Sequence, residues 1–176
     1  MSDIDKLFET LTNLQRQKRL PPIHLWQPEQ VGEIDIRIDR EGNWYHEGTL
    51  IKRQPLVDLF ATILRKEEDT YYLVTPAEQM AIVVEEVPFL AIDLDIRGKA
   101  EGKELLFTTN VGDFVVAGPE HPVYMVNERP FIEIRNGLVA RIQRSVFYRL
   151  VEEGVEEAGA LVVYSQGARF NLGSIS

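Results

Sequence analysis

Two stretches of the chain alternate between apolar and polar residues, the first of them strictly. In residues 33–39 the isoleucines at 34, 36 and 38 alternate with charged residues, and in residues 89–97 the leucines and isoleucines at 90, 92, 94 and 96 are set against Asp93, Asp95 and Arg97. A period of two is typical of a half-buried strand, so we predict a strand in each stretch. Shorter apolar runs predict further strands at 44–51, 71–74, 80–84, 105–109, 114–117, 131–135, 138–144, 161–164 and 169–172.

Three other segments carry apolar residues at the three- and four-residue spacing of a helix. The first is residues 3–19, ended by Pro21-Pro22. The second begins at Pro55 and has an apolar face made of Leu56, Leu59, Phe60, Ile63 and Leu64. The third is capped by Ser145, has an apolar face of Val146, Phe147, Leu150 and Val151, and stops at Gly154.

The order strand, glycine turn, strand, helix, strand occurs twice. Residues 51–60 align with residues 142–151, and the isoleucine, arginine and leucine of the two strand-to-helix junctions are identical. Chance is the alternative, because any such junction needs apolar residues at these positions. We predict an α+β fold with a duplicated unit of antiparallel strands and one helix. Residues 1–86 form the N-terminal half with the extra N-terminal helix, and residues 87–176 form the C-terminal half, a structural repeat of the first.

Composition narrows the classes of function. The 176 residues carry a formal net charge of −9, which disfavours broad binding to nucleic acid or to an anionic membrane. There is no cysteine, so thiolate chemistry and disulfides are excluded. No apolar run approaches the roughly 20 residues of a membrane-spanning helix. The acidic N-terminus does not resemble a signal peptide, and we expect a cytoplasmic protein.

The usual catalytic motifs are missing from the sequence. It contains no phosphate-binding loop, dinucleotide fingerprint or nucleophile elbow, and the three histidines are far apart. Asp93 and Asp95 share one face of a predicted strand and resemble a metal-binding pair, but the solvent-facing side of a strand is the favoured explanation. We therefore predict no catalytic residue, no metal and no cofactor, and we favour a protein that is not an enzyme over the hydrolase considered below.

Arg53 and Arg144 are the most informative polar residues, because each lies where a strand ends and a helix begins. A helix N-terminus offers unpaired backbone N–H groups, and a neighbouring guanidinium adds a planar fork suited to phosphate or carboxylate. We predict a ligand-binding set of Arg53, Arg144, Trp44 and Asn110. The alternative is structural, with each arginine paired to a local carboxylate; Asp58, Asp35 or Asp39 is available to Arg53.

Several segments together resemble a bacterial family, domain-of-unknown-function family 1285 (DUF1285). The resemblance runs from Trp26 to Gly173, and Ala77 departs from it by being smaller than the usual apolar residue. Its most specific segments are Gly32–Ile38, Gly42–Trp44, Gly48–Arg53, Tyr72–Glu78, Val87–Ala91, Thr109–Asp113, Ala117–Pro122, Arg135–Arg141 and Ser165–Ala168.

The resemblance implies a duplicated α+β core whose C-terminal half is loosely similar to pleckstrin-homology-like domains. It also implies a role in bacterial signalling, with a nucleotide-based ligand bound at the interface of the two halves. No catalytic residue is implied.

Three functions remain open at this stage. The first is a cytosolic ligand-binding regulatory protein that recognises a nucleotide-like anion. The second is a protein-interaction module without a small ligand, self-associating as a homodimer through an exposed edge strand. The third is a metal-assisted hydrolase that uses Asp93 and Asp95.

Overall fold

The chain divides into two compact units. A computed structural model describes residues 20–175, and the division falls between Glu86 and Val87. The helix predicted for residues 3–19 lies outside the described residues. Within them, no helix is long and apolar enough to cross a membrane.

The N-terminal unit is one six-stranded mixed sheet with one helix. A 3-10 turn (Ile23–Leu25) leads into the sheet, whose strand order is β3-β2-β1-β6-β5-β4. Strands β1 and β6 pair in parallel, and every other pair is antiparallel. The elements are β1 (Gln30–Ile38), β2 (Trp44–His46), β3 (Thr49–Leu50), α1 (Gln54–Ala61), β4 (Leu64–Glu67), β5 (Thr70–Val74) and β6 (Glu78–Val84).

The C-terminal unit has a second six-stranded mixed sheet, of order β10-β11-β12-β7-β8-β9, with β7 and β12 as its parallel pair. A 3-10 turn (Ala100–Gly102) lies between β7 and β8. One helix then leads to a three-stranded sheet, β13-β14-β15. The elements are β7 (Phe89–Arg97), β8 (Glu104–Thr109), β9 (Phe114–Val116), β10 (Val123–Val126), β11 (Arg129–Arg135), β12 (Leu138–Ile142), α2 (Arg144–Glu152), β13 (Val155–Glu157), β14 (Ala160–Ser165) and β15 (Ala168–Ser174).

Each helix is preceded and followed by three antiparallel strands, which fits a duplicated unit. The hairpin after α1 turns at Glu68-Asp69, and the hairpin after α2 turns at Ala158-Gly159. Strand β1 pairs with β6 in the first copy, and β10 lies next to β15 in the second. Among the described residues, the meander β7-β8-β9 has no counterpart in the N-terminal unit, and we interpret it as an addition to the second copy. We call it the inserted meander.

Cross-strand hydrogen bonds repeat with the elements. Glu67 of β4 accepts a hydrogen bond from Gln79 of β6 at 3.2 Å, and Glu157 of β13 accepts one from Arg169 of β15 at 3.2 Å. These residues hold corresponding places in the two ladders. The α+β class and the repeated organisation are therefore present in the described residues.

The helix boundaries differ from the prediction at both helices. Helix α1 begins at Gln54 and ends at Ala61, so Ile63 and Leu64 lie beyond it, and Leu64 belongs to β4. Ser145 does not cap the second helix, which begins at Arg144 with Gln143 as its N-cap. In both places apolar residues continue at helix-compatible spacing across the boundary, so periodicity alone could not locate it.

Two predicted strands contain an irregularity. The segment predicted as one strand from residue 44 to 51 is the hairpin β2-β3, which turns at Glu47-Gly48 with φ of +50° and +81°. In β7 the pairing slips between Ala91 and Asp93, so Ile92 and Asp93 are both exposed and the alternation is broken. Sequence patterning also missed β4, β10 and β13.

The turn between β7 and β8 requires glycine at position 98. Gly98 has a φ of +74°, and a Cβ placed there would lie 2.3 Å from the carbonyl oxygen of Gly102. Both features penalise any L side chain, and neither can relax without moving backbone.

We expect Gly98→Ala to lower the free energy of unfolding by about 1–3 kcal/mol. Urea denaturation measures this change. Gly102→Ala is the matched control, because its Cβ would meet nothing within 4 Å and its φ is not in the left-handed region. Equal stability of the two variants would contradict the described turn.

Candidate functional site

The two predicted arginines lie at the starts of the two helices. Arg53 is the N-cap of α1, and its carbonyl accepts hydrogen bonds from Leu56 and Val57 at 3.1 and 3.2 Å. Arg144 is the first residue of α2. Both side chains are exposed, and within the described residues neither helix start has a side-chain capping hydrogen bond. Both helix starts are thus uncapped, but the arginines are offset by one position: the N-cap of α2 that corresponds to Arg53 is Gln143, and Arg144 is the residue after it.

The surroundings of the two arginines differ. Among residues 20–175, Arg144 forms no ion pair or hydrogen bond with a carboxylate, whereas Arg53 does interact with a neighbour. In the described part of the chain, Arg144 therefore does not have the carboxylate partner that a structural role would require.

Asp39 and Asp58, considered as partners for Arg53, have hydrogen bonds of their own. Asp58 accepts one from Gln54 at 2.6 Å. Asp39 accepts bonds from the backbone of Glu41 and Asn43 at 3.0 and 2.9 Å and from the Tyr45 hydroxyl at 3.2 Å. Burial by itself would raise the pKa of Asp39, but these bonds outweigh it and hold the pKa below its usual value. Asp39 therefore serves the β1-β2 turn.

Trp44 lies in the core of the N-terminal unit. Its side chain is 1% exposed and stacks on Phe60 with ring centroids 6.3 Å apart. Its indole Nε1 is buried with no hydrogen-bond partner among the described residues. The structure therefore gives Trp44 a packing role and leaves no ring face open to a ligand.

Asn110 connects two strands of the C-terminal unit. Its Oδ1 accepts a hydrogen bond from the N–H of Leu90 at 2.9 Å, and its own N–H donates to the carbonyl of Leu90 at 2.9 Å. The contact lies beside the bulge at Ile92, where the regular ladder between β7 and β8 is interrupted. Asn110 thus ties the end of β8 to β7 through its side chain as well as its backbone.

Asp93, considered as a metal ligand, is paired with α2. Arg149 donates to its carboxylate at 2.8 Å and also to the carbonyl of Leu94. The hydrogen bond from Arg149 holds the pKa of Asp93 below its usual value. Residues 20–175 contain no group of three His, Asp or Glu side chains that could hold a metal ion. Sequence reasoning missed Arg149, whose role depends on α2 lying against β7.

A cavity of about 780 Å³ lies in the C-terminal unit. The inserted meander contributes one wall and the α2-β13-β14 region contributes the other. Its lining residues are Ala100, Glu101, Lys103, Glu153, Val155, Tyr164 and Gly167. None of the four residues predicted from sequence lines it. The sequence carried no signal for this cavity, because its walls come from separate segments and one of them belongs to a meander that the repeat did not predict.

Hydrogen bonds fix the aromatic part of the cavity wall. The Tyr164 hydroxyl donates to Glu157 at 2.7 Å, and Arg169 donates to the same carboxylate at 3.2 Å. The bond from Tyr164 is the main cause that lowers the pKa of Glu157, and the same bond raises the pKa of Tyr164. Tyr164 therefore stays protonated and oriented across the physiological range.

A smaller cavity of about 520 Å³ lies on the sheet of the N-terminal unit. It is found where the pairing of β1 with β6 slips between Glu33 and Arg37. Glu33 and Asp35 give it an acidic rim. Arg53 and Trp44 do not line it either.

These features, two helix-bearing sheet units built on one repeated plan, define the architecture of a known two-domain family. The N-terminal domain of the DUF1285 family, a domain of unknown function, matches residues 21–87, and its C-terminal domain matches residues 88–172. The chain belongs to the DUF1285 family.

Two solved structures are similar to the chain. A DUF1285 family protein from Silicibacter pomeroyi DSS-3 is 41% identical over 94% of this chain and 95% of its own, with a TM-score of 0.85. A second, from Shewanella baltica OS155, is 25% identical over 66% of this chain and 90% of its own, with a TM-score of 0.56. No curated protein is significantly similar in sequence.

We expect Asn110→Ala to destabilise the protein by about 1–3 kcal/mol, because the buried N–H of Leu90 would lose its acceptor. Asn110→Asp, which keeps an oxygen at that place, should recover part of the loss. Arg144→Gln should leave stability unchanged, because its side chain has no hydrogen-bond or ion-pair partner among residues 20–175. Thermal unfolding followed by circular dichroism makes this comparison. A stable Asn110→Ala variant would show that Asn110 is not the connector described.

Proposed function

We propose that this protein is a ligand-binding regulatory protein without catalytic activity, and that its ligand is a nucleotide-like anion. One observation carries the proposal. Both helices begin without a side-chain cap in the described residues, and an exposed arginine lies at each start: Arg53 is the N-cap of α1, and Arg144 is the first residue of α2, one position further into its helix. Helix starts are usually capped by Ser, Thr, Asp or Asn, so an exposed arginine at each of two uncapped starts favours an external acceptor.

The start of α2 is the better phosphate site of the two. Its first turn presents the N–H groups of Arg144, Ser145 and Val146, which precede the first helical bond, from Phe147 to Gln143. The guanidinium of Arg144 and the hydroxyl of Ser145 are both exposed there. The start of α1 offers fewer donors, because Pro55 has no N–H. Arg144 should therefore contribute more to binding than Arg53.

The net charge of −9 sets the conditions for this interaction. It repels an anion at long range and slows association, while the contacts at a helix start act at short range. Added salt should therefore weaken the short-range attraction and the long-range repulsion together. The net dependence of affinity on salt should be shallower than for a basic protein.

Three finer expectations belong to the same proposal. They are a signalling role, a cytoplasmic location and a likeness of the C-terminal unit to pleckstrin-homology-like domains. The signalling role and the pleckstrin-homology likeness come from the family resemblance, the cytoplasmic location comes from the acidic N-terminus, and all three stay predictions. The regulatory function requires only that ligand binding stabilises one state of the protein over another.

A protein-interaction module is the second candidate, and one observation favours it. Phe114 lies on β9, an edge strand of the second six-stranded sheet, and is 68% exposed. An exposed aromatic residue on an unpaired strand edge is a feature of strand-addition interfaces, including homodimers. No small ligand is needed in this case.

We expect nucleotides to stabilise the full-length protein, and the matching nucleosides to do so much less. At a hundredfold excess over Kd the gain is about 2.7 kcal/mol, measured by thermal shift against nucleoside mono-, di- and triphosphates and inorganic phosphate. Arg144→Gln should weaken binding by about tenfold or more, because it removes a charged hydrogen bond. Arg53→Gln should have a smaller effect.

Lys52→Gln is the control for charge alone, because Lys52 is exposed beside Arg53 and its removal leaves both guanidinium groups in place. Its affinity should match that of the unmodified protein. If no nucleotide shifts the melting temperature, or if the Arg144→Gln and Lys52→Gln variants behave alike, the anion proposal is wrong. A flat screen with self-association by sedimentation would favour the second candidate.

A further inference from the structure

The 780 Å³ cavity of the C-terminal unit exists because of the inserted meander. The 3-10 turn between β7 and β8 supplies Ala100 and Glu101, and the chain just after it supplies Lys103. The facing wall comes from the end of α2 and the β13-β14 hairpin. Residues 20–86 of the N-terminal unit contain no strands equivalent to β7 and β8, so this cavity has no counterpart among them.

The two walls are tied together at several points. Lys103 and Glu153 form an ion pair at 2.8 Å across the cavity's base. The N–H of Gln166 donates to the carbonyl of Lys103 at 3.1 Å, and the N–H of Leu105 donates to the Ser165 hydroxyl at 2.9 Å. The last bond is buried. Bonds to backbone on both sides make this a preformed cavity of the size that small-molecule sites have.

In the N-terminal unit the corresponding hairpin, β4-β5, is covered on this face by the 3-10 turn Ile23–Leu25 and the chain just after it. Arg65 is the third residue back from the β4-β5 turn, and its guanidinium donates to the carbonyls of Ile23 and Trp26, which hold the first 3-10 turn against β4. Val155 holds the corresponding place in the β13-β14 hairpin, and it lines the cavity with 49% of its surface exposed. The second copy thus presents an apolar residue where the first copy has chain packed on it.

The charges of the lining indicate which ligand this cavity suits. Lys103, its only positive group, is already paired with Glu153. Glu101 is exposed and has no hydrogen bond or ion pair among residues 20–175. The hydroxyl of Tyr164 already donates to Glu157, so the aromatic ring is the part of Tyr164 that can contact a ligand. An unpaired carboxylate beside an aromatic ring and a valine suits a cation with an apolar body.

We propose that this cavity binds a small organic cation, such as a primary amine carrying an apolar group. The charged group pairs with Glu101, and the apolar group lies on Val155 and the ring of Tyr164. The site is separate from the helix starts to which the anion proposal assigns phosphate, so either proposal can fail without the other.

The test uses three probes with one apolar body and different head groups: 3-phenylpropylamine, 3-phenylpropan-1-ol and 3-phenylpropanoate. Binding to the full-length protein is followed by NMR titration of backbone amides. We expect the amine to bind most tightly and the acid least, with shifts at residues 100–103 and 153–167. Glu101→Gln should weaken the amine about two- to fivefold, the range of an exposed ion pair, and leave the alcohol unchanged.

Two pairs of variants separate the named contacts from general effects. Glu120→Gln makes the same change of charge at an exposed residue outside the cavity, and it should not alter amine binding. Tyr164→Phe keeps the ring and should keep amine binding, whereas Tyr164→Leu should weaken it. Equal affinity of the three probes, an unaffected Glu101→Gln variant, or no binding of the amine at millimolar concentration would each overturn the proposal.

Discussion

One parallel strand pair at the centre of each six-stranded sheet is the constraint on which the rest of the structure depends. Antiparallel neighbours can be joined by tight turns, but parallel neighbours cannot, so the chain must cross over between them. In the N-terminal unit the crossover from β1 to β6 contains α1 and both flanking hairpins. The short helix is therefore held by topology as well as by its buried face, and its first residue is placed at a defined point.

Duplication explains why the two helix starts are alike, and insertion explains why the units differ. The second copy keeps the three strands, helix and three strands of the first, including the carboxylates at Glu67 and Glu157 that accept cross-strand hydrogen bonds. The inserted meander pairs β7 with β12 and brings the turn at Ala100–Gly102 to the second hairpin. Among the described residues, both units thus share an uncapped helix start with an exposed arginine, whereas the cavity beside the inserted meander belongs to the second unit alone.

The sequence predicted the elements whose signal is local. The hairpin at Asn136-Gly137 has φ of +50° and +79°, as its residue types require, and the helix start at Pro55 lies where its fixed φ fits. Strand β7 was predicted with its observed ends, but its alternation was broken by the bulge at Ile92, which depends on the partner strand. The short strands β10 and β13 lacked enough residues to show a period.

The candidate site shows the same limit. Arg53 and Arg144 could be aligned from sequence because they are tied to local helix starts, but the packing role of Trp44 and the strand-connecting role of Asn110 depend on contacts distant in the chain. The cavity could not be predicted at all, since its lining comes from three segments. Such sites are formed by contacts between residues that are distant in the chain. The spacing of apolar residues along the sequence carries no information about those contacts.

Native-state hydrogen exchange of the full-length chain tests the central role of the parallel pairs most directly. If β1 and β6 hold their sheet together, their amides exchange slowest in the N-terminal unit, and β1–β3 lose protection together with β4–β6 as denaturant is added. The same holds for β7 and β12 in the second sheet. Slowest exchange at the edge strands β3, β4 or β9, or separate opening of the two halves of one sheet, would contradict the account.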